Sequence, residues 1–142
     1  MSFSELYSEK ILEIAGNPLP TPRLEHPSAS ARKVARVCGS TIEVDVSVED
    51  GVITGYGAMV RACALGQTSA AIVAAHIVGT GAGEMRALRG TMLAMLKSGG
   101  EPPSGKWADL GLLAPVRDYP ARHGSTLLVF DAVAEALDRA GA

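Results

Sequence analysis

The sequence predicts an α+β fold in which a small antiparallel sheet packs against several helices. Residues 41–48 alternate between polar and apolar side chains, which is the period-2 pattern of a half-buried strand. Asp50-Gly51 then supplies a tight turn into a returning strand, so a hairpin is expected over about 41–61. Helical spacing of apolar residues follows the hairpin. Strands early and helices late favour an α+β class over a wound parallel sheet.

The segment before the hairpin contains a helix signal and a proline-rich stretch. Ser2-Phe3-Ser4-Glu5 matches a capping box, which predicts a helix over about 5–15. Residues 17–33 contain four prolines and are expected to form a loop. A further short strand is predicted over 34–38.

The segment after the first hairpin strand contains a bulge signal and four helix signals. Gly55 and Gly57 are candidates for a bulge in the returning strand. Helices are predicted over 63–79, 84–96, 107–113 and 125–139 from the spacing of their apolar residues.

The composition restricts the class of protein. A chain of 142 residues fits one domain, expected to span 1–142. A net charge of -2 and 4% aromatic residues argue against nucleic-acid binding. No apolar run reaches the roughly 20 residues of a membrane span, and the N-terminal residues do not resemble a secretion signal. A cytoplasmic protein is therefore expected, in which the two cysteines stay reduced rather than forming a disulfide.

The two cysteines are the candidate functional residues. Cys38 precedes the first hairpin strand and Cys63 follows the second, so both belong to the open end of the hairpin. Cys63 also opens a predicted helix, where free N–H groups and the helix dipole favour a thiolate. Metal binding, nucleophilic chemistry and simple packing all remain open, since two thiols alone do not make a closed zinc site.

Four segments of the chain resemble the NifU/IscU-type family of iron–sulfur cluster assembly scaffolds, most closely its SufU branch. The segments are LYSEKILEIAGNP (6–18), CGSTIEVDVSVEDGVI (38–53), CALGQTSAA (63–71) and YPARHGSTLLVFDAV (119–133). The resemblance implies an IscU/NifU N-terminal-like domain in which three cysteines and an aspartate meet at one exposed end. That site would hold a nascent iron–sulfur cluster, iron or zinc, with sulfur supplied by a cysteine desulfurase.

Carried over by position, the resemblance implies that Cys38 and Cys63 are the first two ligands. Ser40 stands at the family's aspartate position, and Ser125 at its third cysteine. Neutral serine is a poor ligand for zinc or iron, and it cannot accept persulfide sulfur. His123, two residues before Ser125, is a candidate third ligand. Arg122 is a candidate ion-pair partner for a thiolate or for an acidic partner protein.

Three functions follow from these residues. The favoured one is a non-enzymatic scaffold that binds iron, a nascent cluster or zinc through Cys38 and Cys63. Its expected partners are a cysteine desulfurase or other iron–sulfur assembly proteins, with no nucleic acid and no membrane. The alternative is a degenerate scaffold fold that acts as a metal-free protein-binding or regulatory module. A thiol enzyme with Cys63 as nucleophile and His123 as base is the least favoured, because no third orienting group can be named.

Overall fold

An antiparallel sheet in the order β1-β2-β3 is the central element of the computed structural model, which describes residues 6–142. Its strands are β1 (Ala29–Ala35), β2 (Ser40–Glu49) and β3 (Val52–Arg61). The described helices are α1 (Glu9–Gly16), α2 (Ala64–His76), α3 (Ala82–Ser98) and α4 (His123–Arg139), with 3₁₀ segments at Gly105–Asp118 and Pro120–Arg122. The predicted α+β class and the hairpin are therefore confirmed. Among residues 6–142, no helix has both the length and the apolar character needed to cross a bilayer.

The hairpin of β2 and β3 follows the alternation of the sequence. The apolar positions Ile42, Val44 and Val46 are at most 1% exposed and face the core, where α4 packs across β1 and β2. The register shifts between Ser47 and Val48, beside Gly55. The irregularity thus adjoins one of the two glycines at which a bulge is predicted.

The first strand corrects two sequence-based expectations. Strand β1 begins at Ala29, inside the stretch predicted to be a loop, and ends at Ala35. Its core-facing residues include alanines, whose small side chains give only a weak alternation signal, and pairing with β2 recruits them into the sheet. Cys38 consequently lies in the turn between β1 and β2, where Gly39 has a φ of 74°, and not in a strand.

Helix boundaries also differ from the sequence-based expectations at two places. Helix α1 begins at Glu9, where the Ser8 hydroxyl accepts a hydrogen bond from the N–H of Ile11. The predicted capping box at residues 2–5 lies outside the described residues. The helix predicted over 107–113 is a longer 3₁₀ segment that contains Pro115, which cannot donate an α-helical hydrogen bond.

A buried carboxylate on the outer face of the sheet forms hydrogen bonds with the proline-rich segment. Asp45 on β2 accepts hydrogen bonds from Arg23 Nε at 2.6 Å and Arg23 Nη2 at 2.8 Å. It also accepts from the Leu24 N–H at 3.0 Å and the Ser30 hydroxyl at 2.6 Å. Gly57 permits this crossing, since a Cβ there would lie 2.5 Å from the Pro22 carbonyl oxygen.

We expect the stabilisation that Asp45 provides to be lost in acid. The hydrogen bond from Arg23 lowers the pKa of Asp45 to about 2, although burial opposes the shift. A lowered carboxyl pKa stabilises the fold above the unfolded value of about 4, and this stabilisation is lost as the pH falls from about 4 through about 2. It amounts to about 2 kcal/mol.

Urea unfolding between pH 2 and pH 7 measures this loss. Asp45→Asn should flatten the decline in unfolding free energy between pH 4 and pH 2. Asp131→Asn is the control, because it removes a partly exposed ion pair with Arg89 worth less than about 1 kcal/mol. An unchanged acid slope in Asp45→Asn would contradict the assignment.

Candidate functional site

Three separate chain segments meet in an open cleft at the end of the hairpin. The turn after β1 contributes Cys38, which Ser40 follows at the start of β2, Cys63 lies at the start of α2, and Arg122 precedes α4. The cleft has a volume of about 440 Å³, and Arg61 and Gln67 also line it. Both cysteines are free and half-buried, and they line the same cleft, as their places at the open end of the hairpin predict.

Ser40 lies directly against the first cysteine. Its hydroxyl oxygen is 3.0 Å from Cys38 Sγ, and its side chain is buried at the first position of β2. The positive φ of Gly39 turns the backbone between the two residues, so both side chains reach the same cleft. The position at which the resemblance implies an aspartate therefore holds a neutral hydroxyl in contact with a thiol.

Ser125 lies against the second cysteine. Its hydroxyl oxygen is 3.4 Å from Cys63 Sγ and donates to the Arg122 carbonyl at 3.2 Å. Helices α2 and α4 approach closely here, since a Cβ on Gly66 would lie 3.1 Å from the Ser125 carbonyl oxygen. All four positions that the resemblance selects are thus brought together.

Helix α2 begins immediately after Cys63. Cys63 is its N-cap residue, and no side chain caps the helix by a hydrogen bond. Its first N–H groups and the positive end of its dipole therefore face the region of the thiols, which favours negative charge.

The environment of Cys38 stabilises its thiolate. Burial alone would raise the pKa of this thiol, but the Ser40 hydroxyl and Ser40 backbone oppose burial through hydrogen bonds. The Ser125 hydroxyl and the positive charge of Arg122 act in the same direction. The net result is a lowered pKa for Cys38, which favours the deprotonated form that binds metals.

His123 does not join the cysteines. Its ring is buried at the start of α4, and Nε2 lies 3.0 Å from the Val116 carbonyl oxygen and 3.2 Å from that of Arg117. Nε2 therefore donates its proton to the end of the 3₁₀ segment. Nδ1 is buried without a hydrogen-bond partner in residues 6–142. His123 fixes the entry into α4 in this arrangement, and it does not line the cleft.

The donors that line the cleft are two thiols and the Ser40 hydroxyl, and the Ser125 hydroxyl lies buried in contact with Cys63. No group of three or more His, Cys, Asp or Glu side chains that could hold a metal ion occurs among residues 6–142. Thiolates suit zinc and iron–sulfur centres, whereas neutral hydroxyls bind these metals weakly. The two cysteines fit a cluster or a zinc ion as cargo, but they provide only half of a closed tetrahedral site.

Sequence reasoning missed two residues of the cleft. Arg61 ends β3 opposite Thr41, so the hairpin register alone places it at the open end. Gln67 lies one helical turn after Cys63, and its N–H bonds the Cys63 carbonyl. The register and the i, i+4 spacing were the available signals.

Fold and site together define an α+β protein that gathers thiols and hydroxyls at the open end of a hairpin. No family model matches the chain. The iron–sulfur cluster assembly scaffold protein IscU of Thermotoga maritima is 27% identical over 139 residues, which cover 98% of this chain and 97% of that protein.

Two solved structures are similar to the protein over nearly the whole chain. The crystal structure of a nitrogen-fixing NifU-like protein (N-terminal) from Brucella abortus is 44% identical with a TM-score of 0.95, covering 97% of this chain and 96% of that one. FiSufU from Fervidobacterium islandicum AW-1, described as a SUF-system scaffold, shares the fold at 19% identity and a TM-score of 0.85, covering 96% of this chain and 99% of that one. The chain belongs to the NifU/IscU-like family of iron–sulfur cluster assembly scaffold proteins.

Proposed function

We propose that this protein binds iron, a nascent iron–sulfur cluster or zinc through Cys38 and Cys63 and passes this cargo to other proteins. The observation that carries the proposal is the convergence of Cys38, Ser40 and Cys63 in one cleft, with the buried Ser125 hydroxyl in contact with Cys63. Thiolates are the ligands that such cargo prefers. The role is non-enzymatic, and the domain over 1–142 acts as the scaffold.

The two serines adapt the site to cargo that is held and then released. Ser40 lies within hydrogen-bonding distance of Cys38 Sγ, where its hydroxyl can stabilise thiolate charge without adding a strong metal bond. Ser125 can do the same for Cys63 only by turning its single proton away from the Arg122 carbonyl. A site with two strong ligands holds metal less tightly than one with four, so transfer costs less free energy.

We propose a cysteine desulfurase or another iron–sulfur assembly protein as the partner, in the cytoplasm, where thiols stay reduced. Arg122 beside the thiols carries a positive charge that suits an acidic surface on such a partner.

Anaerobic reconstitution with iron and sulfide, and separately with zinc, tests metal binding. We expect Cys38→Ser and Cys63→Ser each to lose most of the metal and the cluster absorbance, because a single thiolate cannot hold either cargo. Val37→Ser is the matched control, since it places a serine beside Cys38 at a side chain that is 80% exposed. Wild-type protein that takes up neither metal nor chromophore would overturn the proposal.

A second function is favoured by Ser40 and Ser125 themselves, which replace two ligands at one site. The fold would then serve as a metal-free protein-binding or regulatory module that keeps the family's surfaces. The double variant Cys38→Ser, Cys63→Ser separates the two functions in cells. Retained function with intact folding supports the metal-free module, whereas loss of function supports the thiol-dependent scaffold.

A further inference from the structure

Two guanidinium groups of the cleft lack a carboxylate partner within residues 6–142. Arg61 ends β3 and Arg122 precedes α4, and both line the cleft beside the thiols. No ion pair or side-chain hydrogen bond to either guanidinium occurs among the described residues. Five other arginines lie within ion-pair distance of a carboxylate, whereas Arg36 and Arg117, which do not line the cleft, also have no such partner among the described residues; the five are Arg23, Arg32, Arg86, Arg89 and Arg139. The cleft therefore holds positive charge that an anionic ligand can neutralise.

The same cleft is short of metal ligands. Cys38 and Cys63 supply two thiolates, while zinc and the irons of a cluster each take four donors. Residues 6–142 bring no third His, Cys, Asp or Glu side chain to this position. A metal held by the two cysteines retains open coordination positions on the side of the cleft that faces solvent.

We propose that the cleft binds an anionic low-molecular-weight thiol of the glutathione class as an external ligand. Its thiolate supplies a third ligand to a metal held by Cys38 and Cys63, and its carboxylates pair with Arg61 and Arg122. This inference rests on the proposed function, since it requires a metal at the two cysteines. The step is a ligand exchange without redox change, in which the thiol gives its proton to solvent and its sulfur replaces a metal-bound water.

The chemistry of the cleft fits a small peptide thiol. Its volume of about 440 Å³ belongs to an open depression, so polar contacts rather than enclosure would hold a small peptide thiol there. Gln67 donates from Nε2 to the Val60 carbonyl at 3.3 Å, which leaves its carboxamide oxygen as an acceptor for a peptide N–H. Guanidinium groups bind carboxylates in bidentate geometry, so two arginines suit a ligand with two carboxylates.

Cobalt binding under anaerobic conditions tests the proposal, with glutathione as the probe. A chelator buffer fixes the free cobalt concentration, so that cobalt binding by free glutathione does not change it. We expect glutathione to tighten cobalt binding by about tenfold and to increase the sulfur-to-cobalt charge-transfer absorbance. Native mass spectrometry should detect a complex of protein, cobalt and glutathione.

Two analogues each keep only one of the functional groups that the inference requires, the carboxylates or the thiol. S-methylglutathione keeps the carboxylates without a free thiol, and cysteamine keeps the thiol without a carboxylate. We expect neither to match glutathione, because the inference requires metal ligation and carboxylate pairing in one molecule. If cysteamine increased cobalt affinity as much as glutathione does, the role of the arginines would be overturned.

Arginine variants test the carboxylate contacts. Arg61→Gln and Arg122→Gln should each reduce the ratio of cobalt affinities with and without glutathione by several-fold, and the lysine variants should keep part of it. Lys97→Gln removes an equal charge from the end of α3, away from the cleft, and is the control.

The outcomes separate the inference from the proposed function. If cobalt binding depends on Cys38 and Cys63 but its affinity is unchanged by glutathione, the inference is overturned and the proposed function stays intact. Absence of cobalt binding with and without glutathione overturns both. Cobalt binding that occurs only with glutathione supports the external ligand.

Discussion

A Ser40→Asp, Ser125→Cys variant is expected to bind zinc about 100-fold or more tightly than the wild-type protein. The Ser40 hydroxyl oxygen lies 3.0 Å from Cys38 Sγ and the Ser125 hydroxyl oxygen 3.4 Å from Cys63 Sγ. New donors at these positions therefore start within reach of a metal held by the cysteines. A carboxylate and a third thiolate complete a four-ligand set of the kind that zinc prefers. Competition with a chromophoric chelator measures the change.

The same variant should become dependent on metal for its stability. Ser40 is 3% exposed and Ser125 is 1% exposed, so the new ionisable groups are buried. Without metal they lack full solvation, and the melting temperature should fall below that of the wild type. Zinc should reverse this loss, because it neutralises both groups.

The control for this experiment moves the same two substitutions away from the cleft. Ser47→Asp, Ser69→Cys adds a carboxylate on β2 and a thiol inside α2, where Ser69 is buried and bonds the Thr126 carbonyl. Zinc affinity in this control should stay at the wild-type value. An equal increase in zinc affinity in both variants would show that the positions of Ser40 and Ser125 are not specially placed to bind a metal.

The second large effect is expected from a single methyl group on Gly66. An alanine Cβ would lie 2.7 Å from Ala62 Cβ and 3.1 Å from the Ser125 carbonyl oxygen. Helix α2 must then shift away from α4, which separates Cys63 from Ser125. We expect Gly66→Ala to lower the free energy of unfolding by about 1–3 kcal/mol and to weaken metal binding.

Gly90→Ala is the matched control for Gly66→Ala. Gly90 lies inside α3, and a Cβ there would have nothing within 4 Å. Alanine should therefore stabilise the protein by about 0.5–1 kcal/mol through its higher helix propensity. Urea denaturation of both variants measures the difference. A stabilising Gly66→Ala would contradict the close approach of α2 and α4.

The hairpin was predictable because its signal is local. The alternation of residues 41–48 and the turn at Asp50-Gly51 specify which face is buried and where the chain reverses, and the observed register agrees. Strand β1 was not predictable at its observed bounds, since its alanines are too small to give a strong pattern. Its pairing with β2 is a non-local interaction.

The sequence also could not predict that the outer face of the sheet is covered. Asp45 belongs to the polar side of the alternation, which predicts exposure, yet its side chain is 2% exposed. The proline-rich segment crosses over it and supplies Arg23 as the partner. A distant segment can bury a charged residue only when it brings compensating hydrogen bonds, and local periodicity contains no information about that.

The sequence by itself determined which side chains are available at the candidate site. It identified Cys38 and Cys63, and, through the resemblance, Ser40 and Ser125 at the remaining positions. Only the tertiary structure decided that the four side chains meet, and that His123 turns instead to the carbonyls of Val116 and Arg117. The physical reason is that the close packing of α2 against α4 sets Cys63 beside Ser125, and the turn at Gly39 sets Cys38 beside Ser40, whereas residue spacing restricts only how far apart they can lie.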